Sequence, residues 1–180
     1  MTIRKKQIQE VVEELLSDHN IKQGPVPVDK IARSLGITIT LDQVDNDLSG
    51  FLFRDQKVGK TVIGANKSHH PNRLRFTIAH ELGHYLLHAG EVVHLDEEPA
   101  SFTLDFRDGK SAKGQDDNEK EANLFAAELL MPAKFLRQEL EGKHFDLLTN
   151  NRGLERLAKK YKVSLQALMF RLANLGYIKL

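Results

Sequence analysis

Three absences narrow what this sequence can encode. None of its 180 residues is cysteine, which excludes disulfides and thiolate metal sites and leaves histidine and carboxylate groups to hold any metal. No apolar run approaches the roughly 18 residues of a membrane-spanning helix, and the charged first ten residues lack the apolar core of a signal peptide. The formal net charge is only +1, so no global field favours nucleic acid or a membrane surface. We therefore expect a cytoplasmic protein with no membrane partner.

The composition predicts a folded chain. Hydrophobic residues make up 41% and charged residues 28%, which is ordinary for a globular protein and too apolar for a disordered one. The length suits one compact domain, or one domain with a small appendage.

Hydrophobic spacing predicts an α+β fold in which a small, about three-stranded sheet packs on a mostly helical domain. A polar, irregular segment at 91–117 separates two strong helices, and we expect a connection of this length to be functional or mobile. The predicted helices lie at about 4–19, 28–35, 71–89 and 117–131, with three short ones in 133–180, and the strands lie at about 37–41, 48–54 and 60–66.

The central helix carries the motif His80-Glu81-Leu82-Gly83-His84. Two histidines four residues apart share one helix face, so both ring nitrogens can reach one ion at about 2.0–2.1 Å. Glu81 lies beside the first histidine and can take a proton as water attacks a carbonyl. This H-E-x-x-H pattern is typical of zinc peptidases. Zinc is the expected metal, although manganese or another divalent ion also suits such ligands.

The alternative is a helix whose histidines are exposed or satisfied within a core. Burial of two histidines and a glutamate is unfavourable without a shared purpose, and Gly83 within a helix costs about 1 kcal/mol relative to alanine. This glycine indicates that something packs closely there. The apolar neighbours that predict a buried helix are Phe76, Ile78, Leu82, Leu86 and Leu87.

A third ligand has to come from elsewhere in the chain. The continuation to a glycine and a third histidine that marks metzincins is absent, since Leu87 and Gly90 occupy those positions. His88 follows His84 by four, but three imidazoles along a straight helix cannot converge on one ion. We expect His88 at the surface or outside the ligand set, and His94 is a weaker candidate.

The helix that begins near Asp117 is the better source of this ligand. Glu119 and Asn123 share a face of this helix with small residues that permit close packing. Glu119 can supply a carboxylate oxygen, and Asn123 can orient a ligand histidine through its other ring nitrogen. Glu121 points about 160° away from the face of Asn123, at 100° per residue. It is the alternative ligand, or else a solvated charge at the helix start.

These blocks resemble the ImmA/IrrE family of metallo-endopeptidases. The resemblance is carried by residues 48–52, 75–88, 106–109 and 119–132, which include Glu119-Lys120-Glu121-Ala122-Asn123. It implies a zincin-like fold with a gluzincin-like site: His80, His84 and Glu119 as ligands, and Glu81 as the base. It also implies helix-turn-helix repressors as substrates, while other members of the family act in toxin–antitoxin-like pairs.

Groups that stabilise the transition state are harder to assign. A peptidase needs a donor for the developing oxyanion, and Tyr85, His88, His69 and His70 are available. His69 and His70 are equally well explained as a pair of surface residues at the start of a helix. A peptide substrate could add as a strand along 61–66.

The C-terminal segment from Leu154 to Gly176 resembles a helix-turn-helix. Positive charge clusters there, as DNA binding requires. However, Lys162 replaces the usual turn glycine, and the exposed face, to which we assign Arg171, has few base-reading groups. Met169 and Phe170 look like core residues. Packing of this segment on the catalytic helices, or binding of a partner protein, is therefore favoured over DNA binding.

We thus expect residues 1–135 to form a metallopeptidase domain, with 136–180 as a helical, helix-turn-helix-like appendage packed on it. The leading hypothesis is a zinc-dependent endopeptidase that cleaves a specific intracellular repressor. The alternatives are a non-catalytic regulator or toxin–antitoxin component that binds a partner, and a DNA-binding regulator. Glu81 favours the first, because a purely structural metal site needs no base.

Overall fold

A computed structural model describes residues 3–43, 48–55, 57–88, 93–96, 115–141 and 151–179. Helices and strands follow one another closely along the chain, and most lie within a few residues of the predicted bounds. The helices are α1 (Lys5–Asp18), α2 (Val28–Ser34), α3 (Pro71–Leu87), α4 (Gln115–Leu130), α5 (Ala133–Leu140), α6 (Asn151–Tyr161) and α7 (Leu165–Asn174). The strands are β1 (Ile37–Asp42), β2 (Gly50–Asp55), β3 (Lys60–Asn66) and β4 (Val93–Asp96).

The predicted α+β class is confirmed, and the sheet is small and mixed. Its strand order is β1-β3-β2-β4. β1 runs parallel to β3, and β2 is antiparallel to both β3 and β4. The fourth strand falls within the segment predicted to be irregular; a run of only four residues gives little periodicity to detect.

This strand order corrects one prediction. Residues 61–66 belong to β3, which pairs with β1 on one side and β2 on the other. Both sides of β3 are therefore occupied, and the prediction that a peptide adds along it is wrong. The outer strands of the described sheet are β1 and β4, because these two each pair on one side only.

Helix α3 lies at the centre of the domain, between the sheet and α4. Pro71 occupies its first turn, and the His70 side chain caps it by accepting a hydrogen bond from the Asn72 N–H at 3.2 Å. Every residue from 76 to 84 is buried. Residues 76–84 of α3 are thus buried on every side of the helix, between the sheet and α4.

Helix α7 contacts α4 through an ion pair. Arg171 on α7 is 4% exposed, pairs with Glu128, and donates from Nε to the carbonyl of Met131 at 3.1 Å. The assignment of Arg171 to an exposed face is therefore wrong. The turn between α6 and α7 places Lys162 at φ +53°, where a glycine was expected, and the division of the chain at residue 135 remains a prediction.

Among the residues that the structure describes, no helix combines the length and the apolar character that a bilayer crossing requires.

Candidate metal centre

Helices α3 and α4 approach each other closely at Gly83. A Cβ atom at this position would lie 3.1 Å from the Ala122 Cα and 3.1 Å from a ring carbon of Phe125. This confirms the expectation that something packs closely against the glycine. The near contact of the two helix backbones brings the start of α4 over the histidines of α3.

Three predicted ligands meet at this crossing. The His80 and His84 Nε2 atoms lie 3.1 Å apart. The Glu119 carboxylate spans both, with Oε2 3.3 Å from the His80 Nε2 and Oε1 3.2 Å from the His84 Nε2. Within the described part of the chain, these three residues form a group that could hold a metal ion.

The spacing of these atoms fits a tetrahedral ion. Bonds of about 2.0–2.1 Å at tetrahedral angles place ligand atoms about 3.3–3.4 Å apart, close to the 3.1 Å between the two Nε2 atoms and to the 3.2 and 3.3 Å from each Nε2 to its nearer Glu119 oxygen. Two histidines and a carboxylate also form a typical catalytic zinc ligand set, which leaves a fourth position open. The residues present therefore fit a divalent metal such as zinc.

The protonation of His80 supports the same conclusion. Its Nδ1 lies 3.0 Å from the Asn123 Oδ1. Since the amide oxygen only accepts hydrogen bonds, Nδ1 carries the hydrogen, and in the neutral ring Nε2 presents a lone pair. That lone pair faces the His84 Nε2 and the Glu119 carboxylate, an arrangement that a cation stabilises.

The electrostatics of Glu119 also favour a cation. Burial raises its pKa, but when the rings carry a hydrogen on Nε2, hydrogen bonds and charge interactions with His80 and His84 outweigh burial and hold the pKa well below its usual range. A bound metal ion would take the place of those hydrogens. The side chain is 35% exposed, whereas both histidines are buried. The cluster thus has a buried side formed by imidazoles and a side open to solvent at the carboxylate.

Glu81 is fully buried beside the ligands, at 0% exposure. The start of β2 lies against it: a Cβ atom on Gly50 would lie 3.6 Å from the Glu81 Oε1 and 2.2 Å from the Thr77 Cγ2. Only glycine leaves room for this approach of strand and helix. The 48–52 block of the sequence thereby obtains a structural explanation, because it brings the sheet against the motif.

His88 and Glu121 lie outside the cluster but are tied to it. His88 is 7% exposed, and its Nδ1 lies 3.2 Å from the His84 Nδ1. Glu121 is 5% exposed, contacts the His88 Nε2 at 3.1 Å and pairs with Arg4. The interpretation of Glu121 as a solvated charge is therefore wrong. The side chain of Arg4 covers it, a contact that a single-helix projection does not reveal.

Arg54 holds the end of the motif helix and was missed by the sequence analysis. Its guanidinium donates to the carbonyls of His84, Tyr85 and His88 at 2.9, 3.1 and 2.9 Å. It also lies 5.4 Å from the centroid of the Tyr85 ring. A cation at a helix C-terminus satisfies free carbonyls and opposes the helix dipole. The contact spans 30 residues of sequence, and no local pattern signals it.

The remaining candidates lie at the other end of α3. His70 is exposed and caps the helix, and His69 precedes it with a pKa that burial and then the charge of Arg73 lower. Ten residues separate His70 from His80, or about 15 Å along the helix at 1.5 Å per residue. The structure does not bring this histidine pair to the ligand cluster. Residues 106–109 lie outside the described residues, and His94 falls on β4.

Comparisons with known proteins agree with this geometry. Residues 32–173 match a peptidase family described as the IrrE N-terminal-like domain. A solved structure named Mycobacterium tuberculosis transcriptional regulator superposes with a TM-score of 0.63 at 17% sequence identity, and the match covers 93% of this chain. It covers 55% of that protein, so this chain spans about half its length, and the likeness shows the fold alone. No curated protein matches at a significant level.

Proposed function

The chain belongs to the peptidase family of the IrrE N-terminal-like domain, and from this premise we propose that it is a zinc-dependent endopeptidase. The observation that carries the proposal is the pair of imidazole nitrogens 3.1 Å apart, each with a Glu119 carboxylate oxygen at 3.2 or 3.3 Å, beside the buried Glu81. A structural metal site has a closed ligand shell and no need of a base. This site offers three ligands and a carboxylate, the combination used for hydrolysis.

In this proposal His80, His84 and Glu119 hold the metal, and Asn123 orients the His80 ring. When bound, the ion supplies Lewis acidity toward the water nucleophile and the scissile carbonyl. Zinc suits the two imidazoles and one carboxylate best, and manganese is the alternative. The exposed edge of Glu119 leaves the cluster accessible from one side, as an approaching peptide requires.

Glu81 serves as the general base and then as the general acid. Its carboxylate oxygen takes a proton from the attacking water and delivers that proton to the leaving amine nitrogen. Its complete burial fixes the carboxylate beside the metal ligands, where one group can make both transfers in turn. Because Gly50 has no side chain, position 50 places no side-chain atom beside the Glu81 Oε1.

We further propose a helix-turn-helix repressor in the cytoplasm as the substrate. The family supports a regulatory peptidase, and the structural neighbour is named as a transcriptional regulator. Cleavage would inactivate the repressor and relieve repression.

Direct DNA binding is the weaker candidate. Arg171, the one cationic residue of α7, is buried in an ion pair with Glu128. The partly exposed residues of this helix include Met169 and Phe170, which suit a protein partner better than base edges. In the non-catalytic alternative, the metal site only supports the binding of a partner protein. Glu81 then has no role.

The substrate class can be tested in cells. We would express the wild type and Glu81→Gln at equal levels and label new protein N-termini for mass spectrometry. The proposal predicts new N-termini within a helix-turn-helix protein in the wild-type cells only, with a repressor encoded next to this chain as the first candidate. New N-termini that occur only in other classes of protein would exclude a repressor as the substrate. Identical N-termini in both strains would exclude peptidase activity that depends on Glu81.

A further inference from the structure

A line of hydrogen-bonding groups leads from the rear of one ligand to the beginning of the chain. The His84 Nδ1 lies 3.2 Å from the His88 Nδ1, and the His88 Nε2 lies 3.1 Å from the Glu121 Oε2. Arg4 then donates to Glu121 from its backbone N–H at 2.9 Å and from Nε at 3.0 and 3.1 Å. The ligand, α4 and the residue before α1 are thus joined in series.

The inner part of this line is shielded from water. The side chains of His88 and Glu121 are 5% and 6% exposed, so their polar atoms depend on each other for hydrogen bonds. Arg4 is 41% exposed and closes the outer end. Its Nη2 also donates to the Leu87 carbonyl at 3.3 Å, which ties the same guanidinium to the end of α3.

The carboxylate determines the direction of every hydrogen bond in the line. An ionised Glu121 only accepts, so the His88 Nε2 carries a hydrogen and donates it. In the neutral ring the His88 Nδ1 is then an acceptor, and the His84 Nδ1 has to donate to it. This leaves the lone pair of His84 on Nε2, the atom that faces His80 and Glu119.

The opposite arrangement would prevent ligation by His84. If its Nδ1 accepted a hydrogen bond, the neutral ring would carry its hydrogen on Nε2, directed at the ligand cluster. A neutral His88 would then carry its hydrogen on Nδ1 to donate to His84, and its Nε2 would present a lone pair to the carboxylate of Glu121, which is repulsive. Glu121, held by Arg4, therefore selects the tautomer of His88, and His88 selects the tautomer of His84.

We propose that His88, Glu121 and Arg4 are positioning residues for the metal ligand His84, selecting its tautomer and fixing its ring so that Nε2 is presented to the ion. The inference rests on the proposed metal site. It assigns a role to the residue that precedes α1, which lies far from the motif in sequence. It also explains why Glu121 is buried beside Arg4 instead of serving as a ligand.

The test is the Zn²⁺ dissociation constant of the full chain, measured by competition with a chromophoric chelator. His88→Leu removes both hydrogen bonds, and we expect it to weaken Zn²⁺ binding about 10–100-fold, the usual effect of removing a partner behind a ligand. His88→Asn places an amide oxygen near the position of Nδ1 and should recover most of that loss. Arg4→Gln should weaken binding by less than the factor of about 10–100 expected for His88→Leu, and Lys6→Gln, an equal charge change on a side chain that is 91% exposed, should leave it unchanged.

Two further measurements separate positioning from packing. The Co²⁺-loaded protein reports the ligand geometry through its visible absorption bands, which should change in His88→Leu and return in His88→Asn. Urea unfolding of the metal-free variants gives their stability without the ion. A packing role predicts a loss of metal-free stability with no change in the Co²⁺ absorption bands or in the Zn²⁺ affinity of the folded variant, and that result would overturn the proposal.

The outcomes also separate this inference from the proposed function. A wild-type protein that binds no divalent ion would overturn the metal site and the inference together. A wild type that binds Zn²⁺ while His88→Leu binds it equally well would overturn the inference alone. Failure of His88→Asn to recover affinity, with both variants folded, would likewise contradict the tautomer argument.

Discussion

His80 on α3 and Asn123 on α4 are joined by a hydrogen bond of 3.0 Å between the ring Nδ1 and the amide Oδ1. The two residues are 43 positions apart, and the contact connects the helix that carries the motif with the helix that carries Glu119. It fixes the ring of His80 from behind, as His88 does for His84. Each ligand histidine therefore has its own orienting partner.

Asn123→Ala should weaken metal binding without unfolding the protein. Loss of the orienting amide leaves His80 free to rotate and to change tautomer, and such partners contribute about 10–100-fold to metal affinity. A chelator competition with Zn²⁺ measures the change, and Asn174→Ala on an exposed site serves as the control. An affinity equal to that of the wild type would show that Asn123 has no orienting role.

Gly83→Ala should reduce metal affinity more than its effect on stability suggests. Alanine gains about 1 kcal/mol of helix propensity, but the new methyl group would press on the Ala122 backbone and the Phe125 ring at 3.1 Å. Relief of this contact moves α4 away from α3, and Glu119 moves with it. Urea unfolding and Zn²⁺ titration on the same variant should diverge; unchanged affinity would contradict the role of the glycine.

The buried pair between Arg171 and Glu128 should matter strongly for stability. Removal of one partner leaves a buried charge without compensation, which typically costs about 3–5 kcal/mol. We expect Arg171→Met to lower the free energy of unfolding by this amount in urea titrations. Arg156→Met, an exposed arginine on α6, is the matched control, and equal effects of the two would refute the importance of the pair.

The pair formed by Arg4 and Glu121 predicts a specific acid dependence in the metal-free protein. The hydrogen bond from the Arg4 side chain, acting against burial, lowers the pKa of Glu121 from 4.5 to about 2. A lowered folded pKa stabilises the protein above the unfolded value, and that contribution is lost as the pH falls from 4.5 toward 2. Since Arg4 is 41% exposed, we expect about 1–2 kcal/mol at neutral pH.

The measurement is the difference in unfolding free energy between the wild type and Arg4→Gln, taken from pH 7 to pH 2 with a chelator present. The difference should be largest at neutral pH and should fall to a small remainder near pH 2. Lys6→Gln should show no such convergence. A difference that stays constant over this range would rule out the coupling.

Local pattern was sufficient to predict most elements, and it favoured the three residues that the structure brings together. Hydrophobic spacing placed the helices and three strands, because each buries one side against a single core. The position of Glu119 followed from its face on α4, and Gly83 indicated the close helix crossing. These features depend on residues within a few turns of each other, which is the range that a sequence pattern reports.

The features that sequence analysis missed depend on contacts across the fold. Arg54 reaches the end of α3 from β2, and Arg4 covers Glu121 across 117 residues. A helical projection gives the direction of Glu121 relative to its own helix, but not which segment lies on that side. The strand order likewise could not be predicted from local pattern, because the parallel pairing of β1 with β3 is determined by tertiary packing.

The most direct test of the account compares the wild type with Glu81→Gln in two measurements on the same purified samples. We predict that both bind one Zn²⁺ with affinities within about threefold, since Glu81 is not a ligand. We also predict that the variant cleaves the repressor identified by N-terminal labelling at least about 100-fold more slowly than the wild type. This factor is the lower end of what a general base contributes. Cleavage by Glu81→Gln at the wild-type rate would contradict the central claim.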